Sequence, residues 1–197
     1  MSIVVGLTGQ SGAGKTMVSQ AFQRNGFAVI NCDEVTRKVQ QDGSECNHAL
    51  AEIFPECFDK AFKLDRQKLA KSVFSDKHKL ETLNNIIYPY ITDEIIFQIN
   101  KLSKERQYIL LDAPTLFEAG ADKLCNVIVA VAADENIRLE RILKRDGISE
   151  EQIKNRFNSQ HSCEYFKEHC DYVIYNNSSA EAALLETERI IKIIKEN

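Results

Sequence analysis

A glycine-rich segment close to the amino end constrains the fold of this chain more than any other feature of the sequence. Its eight residues are Gly9, Gln10, Ser11, Gly12, Ala13, Gly14, Lys15 and Thr16. They fit the pattern of a glycine, four residues of any type, a second glycine, a lysine and a serine or threonine. An apolar run suited to a strand, residues 3–7, precedes the segment, and residues 17–22 can continue as a helix. A loop with this pattern that connects a strand to a helix typically binds phosphate, so the sequence predicts a phosphate-binding loop at residues 9–16.

The chemistry expected of this loop follows from its residue types. Glycines allow the backbone to curl so that N–H groups point inward, and the next helix adds free N–H groups and the positive end of its dipole. Lys15 can reach the terminal phosphates of a nucleotide, and the Thr16 hydroxyl can bind Mg²⁺. The alternative, a glycine-rich turn that binds nothing, fits the complete pattern poorly. We therefore expect nucleotide phosphates to be bound by Gly9, Ser11, Gly12, Ala13, Gly14, Lys15 and Thr16.

The composition is that of an ordinary globular protein. The chain has 197 residues, of which 44% are hydrophobic and 27% charged, which favours one domain or one core with insertions. The formal net charge is −4, so we expect no general affinity for nucleic acid. No apolar run approaches the roughly 20 residues that a membrane-spanning helix needs, so we also expect no membrane partner.

Cysteine usage favours a reducing compartment. The six cysteines include no C-x-x-C pair, and no signal segment precedes the first strand. We therefore expect free thiols and a cytoplasmic protein. The four histidines lie at spacings that match no common zinc site.

Five short apolar runs predict the strands of one sheet. They are residues 3–7, 27–30, 108–111, 127–131 and 172–175. Near-continuous apolar character is typical of parallel strands that are covered on both faces. Helical patterns lie between the runs, so we expect an α/β fold with a five-stranded, doubly wound parallel sheet that binds ligands at the carboxyl ends of its strands. The core would comprise residues 1–34, 106–137 and 161–197.

Residues 35–105 are too many for one crossover between strands, which needs only about 10–12 residues. Two helical faces occur in this segment, formed by Leu80, Leu83 and Ile87 and then by Ile91, Ile95, Ile99 and Leu102. Pro89 lies between them and is expected to separate two helices. We interpret the segment as an inserted helical subdomain that covers a second substrate. The alternative is that it only thickens the core.

Residues 138–160 are locally basic in an acidic chain, with six Lys or Arg and four Asp or Glu residues. Arg138, Arg141 and Arg145 lie three and four positions apart, which places them on one helix face. Asp146 and Gly147 then interrupt the helix, and residues 148–151 have the pattern of a capped restart. Such a segment after a strand can close over a phosphate as a lid, because arginine stabilises phosphoryl-transfer charge. The alternative is a solvated helix face.

Two aspartates follow predicted strands. Asp33 could accept the proton of an attacking hydroxyl or help to hold Mg²⁺ through water, but it could equally be a helix N-cap. Asp112 ends the third strand, where it could bind the water shell of a metal or serve as a turn residue.

Two functions from different classes fit these features, a small-molecule phosphotransferase and a nucleotide-dependent switch. A GTPase switch usually carries Asp-x-x-Gly after its third strand and Asn-Lys-x-Asp later. Asp112 is instead followed by Ala113, Pro114 and Thr115, and Asn-Lys-x-Asp does not occur. These observations favour the phosphotransferase.

An ordered set of motifs resembles the dephospho-coenzyme A kinases along nearly the whole chain. One of them, Leu111–Glu118, contains the family signature of a proline, two residues of any type, a phenylalanine and a glutamate. The matching segments are Val5–Thr16, Val29–Glu34, Leu64–Arg66, Val73–Phe74, Leu111–Glu118, Arg141, Arg145–Gly147, Arg156, Gln160, Asp171–Ile174 and Asn176–Asn177. The phosphate loop alone is unspecific, but the ordered set is specific.

The resemblance implies ATP-dependent phosphorylation of the ribose 3′-hydroxyl of dephospho-coenzyme A, with ATP and Mg²⁺ required. It implies that Asp33 is the catalytic base, that Lys15, Arg141 and Arg145 act on the transferring phosphoryl group, and that Thr16 binds the metal. Asn176 would contact the nucleotide. The acceptor would contact Asp33, Arg66, Tyr88, Asp112 and Pro114. The expected partner is this small molecule, and we expect a monomer.

Four positions depart from the family pattern. Asn31 stands where the family usually has a first carboxylate, and Tyr88 stands where it has a histidine before Pro89. Thr115 replaces a leucine of the proline signature, and Gln10 replaces a glycine in the loop. Tyr88 could keep a hydrogen bond or a stacking surface, but not a positive charge.

Overall fold

The computed structural model describes residues 2–74 and 76–196 of the chain. The described residues form two compact units. One contains the residues up to Ile30 together with those from Leu102 onward, and the other contains Asn31–Lys101.

The five predicted apolar runs form one five-stranded parallel sheet, which confirms the predicted α/β fold. The strands are β1 (Ile3–Gly9), β2 (Ala28–Asn31), β3 (Tyr108–Asp112), β4 (Val127–Ala132) and β5 (Tyr172–Tyr175). Their order across the sheet is β2-β3-β1-β4-β5. β1 pairs in parallel with β3 on one side and with β4 on the other, and β4 pairs with β5. The carboxyl ends of β1, β3, β4 and β5 therefore lie at one edge, where a parallel sheet presents its ligand site.

Nine α-helices occur in the described residues. They are α1 (Lys15–Arg24), α2 (Cys32–Val39), α3 (Glu45–Ile53), α4 (Arg66–Phe74), α5 (Lys77–Leu102), α6 (Glu135–Asp146), α7 (Glu150–Asn158), α8 (Cys163–His169) and α9 (Ala180–Glu196), with short 3₁₀ turns at Pro55–Cys57 and Ala121–Leu124. None of these helices is both long enough and apolar enough to cross a bilayer. All six cysteines are free thiols.

Both faces of the sheet are covered. On one face, Val5 and Leu7 of β1 pack with Phe22 of α1 and Ile190 of α9 in the main hydrophobic cluster. The alternate residues of each strand point to the other face. There Gly6 has no side chain because a Cβ would lie 2.9 Å from Leu116 Cδ2 and 2.7 Å from Cys125 Sγ. This close cover explains the nearly continuous apolar character of the strands.

The second unit corrects one prediction, because Pro89 does not separate two helices. Helix α5 runs without interruption from Lys77 to Leu102 with Pro89 inside it. Ile87, Ile91 and Ile95 are buried at helical spacing on both sides of the proline. Proline removes one backbone hydrogen bond and disfavours the helix locally. Burial of this continuous apolar stripe offsets that cost and keeps the helix intact.

Candidate phosphate-binding site

The predicted loop connects the end of β1 to the start of α1, and residues of two neighbouring segments lie close to its glycines. A Cβ on Gly9 would lie 2.5 Å from the carbonyl oxygen of Val131 in β4. A Cβ on Gly14 would lie 2.5 Å from the Asn176 amide nitrogen, and Gly14 also has a φ of 104° as the N-cap of α1. A larger residue at Gly9 or Gly14 would therefore strain the backbone and displace Val131 or Asn176.

Backbone amides of the loop remain available to an anion. The N–H groups of Gly12 and Gly14 donate no hydrogen bond to any described residue. Lys15 and Thr16 begin α1, so their N–H groups have no intrahelical acceptor. Four amides at the positive end of a helix dipole make a site for phosphate oxygens.

Lys15 lies beside the carboxylate that ends β3. Its Nζ contacts Asp112 Oδ1, and the two side chains are only 19% and 8% exposed. The pairing of Leu7 with Asp112 in the sheet brings the loop and this carboxylate to the same edge. The ion pair compensates both charges where water is largely excluded.

Thr16 is exposed in the first turn of α1, which leaves its hydroxyl accessible. Residues 2–74 and 76–196 contain no group of three or more histidine, cysteine, aspartate or glutamate side chains that could hold a metal ion. Mg²⁺ is usually held by few protein ligands together with water and substrate phosphates, so a single hydroxyl beside the loop suits it.

The side of the loop near Ala13 is bound to α6 and to the end of β5. Arg141 Nη1 donates to the Gly12 carbonyl at 3.3 Å, and Nη2 donates to the Asn176 carbonyl at 3.2 Å. Asn176 is buried, and its side-chain amide donates to the Ala13 carbonyl at 2.8 Å. Arg141 and Asn176 therefore meet at the loop.

The other side of the loop is bound to the segment after α7. The Ser11 amide donates to Gln160 Oε1 at 3.0 Å, and Gln160 Nε2 donates to Ser11 Oγ at 3.1 Å. In the sequence, Gln160 stands out only as part of a motif, and this contact is not predicted. A glutamine 149 positions from Ser11 carries no local signal of such a pair.

The junction of α6 and α7 has the predicted break and restart. Helix α6 ends at Asp146, and Gly147 follows with a φ of 63°. Ser149 then caps α7 in a capping box with Gln152. Asp146 accepts from Arg145 Nε at 2.6 Å and from Arg156 Nη1 at 3.1 Å. The Arg145 hydrogen bond is the largest effect on the pKa of Asp146, which falls from 3.8 to about 2 although desolvation acts to raise it.

The three aligned arginines have different surroundings in the structure. Arg138 is buried, Arg141 is bonded to the loop, and Arg145 is 63% exposed and paired with Asp146. One helix face thus supplies one structural contact to the loop and one solvent-facing arginine.

Pro114 and Thr8 connect the end of β3 to the loop. The Thr8 hydroxyl donates to the Pro114 carbonyl at 3.2 Å. Pro114 also lines a cavity of about 150 Å³ with Gly9, Glu118 and Gln160. This proline, assigned to the acceptor by the resemblance, therefore lies close to the phosphate loop.

In the second unit, Asn31 rather than Asp33 caps helix α2. Asn31 Oδ1 accepts from the amides of Asp33 at 2.9 Å and of Glu34 at 3.2 Å. The alternative that Asp33 is the N-cap is therefore wrong. Asp33 is exposed, and its carboxylate has no hydrogen bond or ion pair with the described residues.

Arg66 and Tyr88, which are also predicted to contact the acceptor substrate, lie in this unit too. Arg66, the first residue of α4, donates to Gln40 Oε1 at 2.6 Å and to the Gln40 carbonyl at 3.2 Å. Tyr88 is half-buried on α5, directly before Pro89. The Gln40 contact orients the Arg66 guanidinium and leaves some of its five N–H donors for another acceptor.

Comparison with known proteins identifies the family. Residues 3–182 match the family model described as dephospho-CoA kinase. A dephospho-CoA kinase of Fusobacterium nucleatum is 35% identical over 195 residues, which cover 98% of this chain and 100% of the relative. The crystal structure of TT1252 from Thermus thermophilus has a TM-score of 0.83 at 28% identity, covering 99% of this chain and 97% of that one. Dephospho-CoA kinase from Campylobacter jejuni has a TM-score of 0.74 at 27% identity, covering 100% of this chain and 98% of that one. The chain therefore belongs to the dephospho-CoA kinase family.

Proposed function

We propose that this chain transfers the γ-phosphoryl group of ATP to the ribose 3′-hydroxyl of dephospho-CoA, which gives CoA and ADP in the last step of CoA synthesis. The observation that carries the proposal is the loop with four available amides and Lys15, in a chain that matches the family over residues 3–182. Phosphoryl transfer depends mainly on positioning and on stabilisation of charge, and this loop provides both.

Lys15 binds the β- and γ-phosphates in this proposal. Its ammonium group already faces the carboxylate of Asp112, which holds the lysine at the edge of the sheet before nucleotide binds. A point charge that is fixed in advance stabilises the developing phosphate charge without a reorganisation cost.

Mg²⁺ would be held by the Thr16 hydroxyl, with Asp112 acting through water. The exposed hydroxyl in the first turn of α1 and the carboxylate beside Lys15 are oxygen donors of the type that Mg²⁺ binds. When bound, the ion neutralises charge on the phosphates.

Asp33 accepts the proton of the 3′-hydroxyl in this proposal. Two observations support the assignment: the carboxylate is exposed, and Asn31 takes over the capping of α2. The side chain is thus available for chemistry. General-base catalysis by a positioned group typically contributes about 10²–10⁴-fold to the rate.

We assign acceptor binding to the helical insertion, residues 35–105, with Arg66 and Tyr88 as contacts. Arg66 is the best candidate for the phosphate groups of the acceptor, because its guanidinium is oriented by Gln40. Tyr88 would contribute a hydroxyl or a stacking surface.

Residues 138–160 serve as the lid, with Arg141 and Arg145 directed to the transferring phosphoryl group. Arg141 already bonds the loop carbonyl of Gly12, whereas Arg145 must exchange its contact with Asp146 for one with phosphate. Closure would exclude water and limit hydrolysis of ATP.

We further propose a cytoplasmic monomer with no nucleic acid or membrane partner. The net charge of −4 disfavours binding to nucleic acid, and the six free thiols suit a reducing compartment.

An ADP-release assay tests the function. ATP and Mg²⁺ are supplied with dephospho-CoA, nucleoside monophosphates or gluconate, and mass spectrometry identifies the product. We expect rapid ADP release only with dephospho-CoA, and loss of that activity in Lys15→Ala at unchanged helical content by circular dichroism. Faster turnover of another acceptor would instead identify a different small-molecule kinase.

A further inference from the structure

A second cavity, separate from the amides of the loop, lies at the carboxyl ends of β4 and β5. Its volume is about 400 Å³, within the range of small-molecule sites. We call it the β4–β5 cavity, and its walls include Gln10, Ala133, Arg138, Phe157, Cys163 and Tyr175. Ile174 belongs to the cluster beneath α1 and α9, so the neighbouring Tyr175 points to the opposite face of the sheet.

Two residues that line this cavity each carry a buried polar atom with no hydrogen-bond partner among the described residues. The atoms are Arg138 Nη1 and Gln10 Oε1, in side chains that belong to residues only 6% and 8% exposed. One is a charged donor and the other is a neutral acceptor. Buried groups of either kind are normally satisfied, because leaving one unpaired costs about 1–3 kcal/mol or more.

The surrounding contacts hold both groups in place. Arg138 Nε donates to the Ala133 carbonyl at 3.0 Å, and the guanidinium lies 3.9 Å from the ring centroid of Phe157. Gln10 Nε2 donates to the His161 carbonyl at 3.3 Å, which orients Oε1 away from that carbonyl. The unpaired atoms are therefore fixed.

No ion pair balances Arg138 among the described residues. Glu135, at the exposed rim, lies close enough to favour its charged form, but burial is the larger effect and lowers the pKa of the guanidinium. Asp134, also on the rim, is bonded to Asn177. The contacts of Arg138 with Ala133 and Phe157 leave Nη1 unpaired, so they do not fully offset the cost of burying this charge.

The remaining wall suits a small polar molecule. Ala132, Ala133 and Phe157 provide apolar contact, and Tyr175 adds a hydroxyl. Local desolvation, together with a hydrogen bond from Cys163, raises the pKa of Tyr175 to about 12, although 45% of the residue is exposed.

We propose that the β4–β5 cavity binds a small oxyanion that also carries a hydroxyl group. Its anionic oxygen accepts from Arg138, and its hydroxyl donates to Gln10 Oε1. Hydroxycarboxylates and monoprotonated phosphate share this chemistry. The site differs from the phosphate-binding loop, because the amides of Gly12 and Gly14 are not among its walls.

The site is nonetheless coupled to the loop through the backbone. Gln10 belongs to the loop, and a Cβ on Gly12 would lie 2.9 Å from the Arg138 carbonyl. An oxyanion bridging Arg138 and Gln10 would thus join α6 to the loop and restrain both.

Calorimetry on the full chain tests the proposal with L-malate, succinate and inorganic phosphate as probes. Mg²⁺ and adenylyl imidodiphosphate are added in parallel titrations, so that phosphate cannot report on the loop. We expect malate to bind more tightly than succinate, which lacks the hydroxyl. Binding of phosphate while adenylyl imidodiphosphate occupies the loop identifies free phosphate as the ligand. Binding of malate without binding of phosphate identifies a hydroxycarboxylate.

Variants assign the binding to the cavity. Arg138→Met should lower the affinity for the probe by about tenfold to a hundredfold, which is the usual loss when a hydrogen bond to a charged group is removed. Gln10→Met should reduce the affinity for malate to the affinity that the wild type has for succinate. Arg189→Met, on the exposed face of α9, removes an arginine that is paired with Glu186 and should leave probe binding unchanged.

If Arg138→Met does not fold, Arg138→Lys replaces it, because lysine keeps the charge and loses the planar fork. Wild-type chain that binds neither malate nor phosphate would overturn the proposal. Equal binding of a probe by the wild type and by the Arg138 variant would also overturn it, since the probe would then lie elsewhere. In either case the cavity would contain only water.

Discussion

Asp33 lies in the first turn of α2 with an exposed carboxylate, and Asn31 supplies the cap of that helix. A carboxylate that capped the helix would be bound to backbone amides and would be a weaker base. At residue scale, capping by Asn31 therefore leaves the Asp33 carboxylate without a backbone partner in that helix.

The proposed base gives the first prediction. Asp33→Asn should lower kcat by about 10²–10⁴-fold while ATP affinity is retained, because the amide cannot accept the hydroxyl proton. Rates are measured by ADP release and affinity by calorimetry. Glu34→Gln is the matched control, since Glu34 is an exposed carboxylate in the same helical turn. Near-normal turnover of Asp33→Asn would exclude Asp33 as the base.

The cap gives the second prediction. Asn31→Ala should destabilise the protein by about 1 kcal/mol, whereas Asn31→Asp should retain the stability, because aspartate caps as well as asparagine. Urea denaturation of the three proteins provides the measurement. Equal midpoints for the alanine variant and the wild type would mean that the two hydrogen bonds of Asn31 contribute nothing to stability.

At the scale of elements, the junction of α6 and α7 depends on one carboxylate. Asp146 joins Arg145 at the end of α6 to Arg156 in α7. In the proposed lid, Arg145 would exchange its contact with Asp146 for one with phosphate on closure. The same contact makes the junction sensitive to acid.

The third prediction is this pH dependence. The pKa of Asp146 is about 2 in the folded chain against 3.8 ordinarily, so the unfolded chain takes up the proton first as pH falls. The stabilisation is complete above about pH 5 and disappears between about pH 4 and pH 2. Wild type and Asp146→Asn should thus differ in urea midpoint near neutral pH and converge in acid. A difference that does not change with pH would contradict the charge-based explanation.

At the scale of the whole molecule, the chain comprises a sheet unit that holds the phosphate loop and a helical unit, Asn31–Lys101. Lys15, Arg141 and Asn176 belong to the first unit, whereas Arg66 and Tyr88 belong to the second.

The fourth prediction follows from this division. Adenylyl imidodiphosphate with Mg²⁺ should slow hydrogen exchange of loop amides such as Gly12 and Gly14 by about a hundredfold at about 100 times its Kd. Dephospho-CoA alone should protect amides within residues 35–105. Exchange followed by mass spectrometry measures both. Protection by dephospho-CoA that is confined to the sheet unit would contradict the assignment of the acceptor to the insertion.

The sequence by itself determined the features that depend on neighbouring residues. The phosphate loop, the five strands, and the break and restart around Gly147 were all predicted, because glycine conformation, apolar runs and helix caps are local. Only the tertiary structure decided the course of α5 through Pro89, the burial of Arg138 and the contact of Gln160 with Ser11. Each depends on burial or on partners far away in the chain, and the free energy of such contacts overrides local preference without leaving a pattern in the sequence.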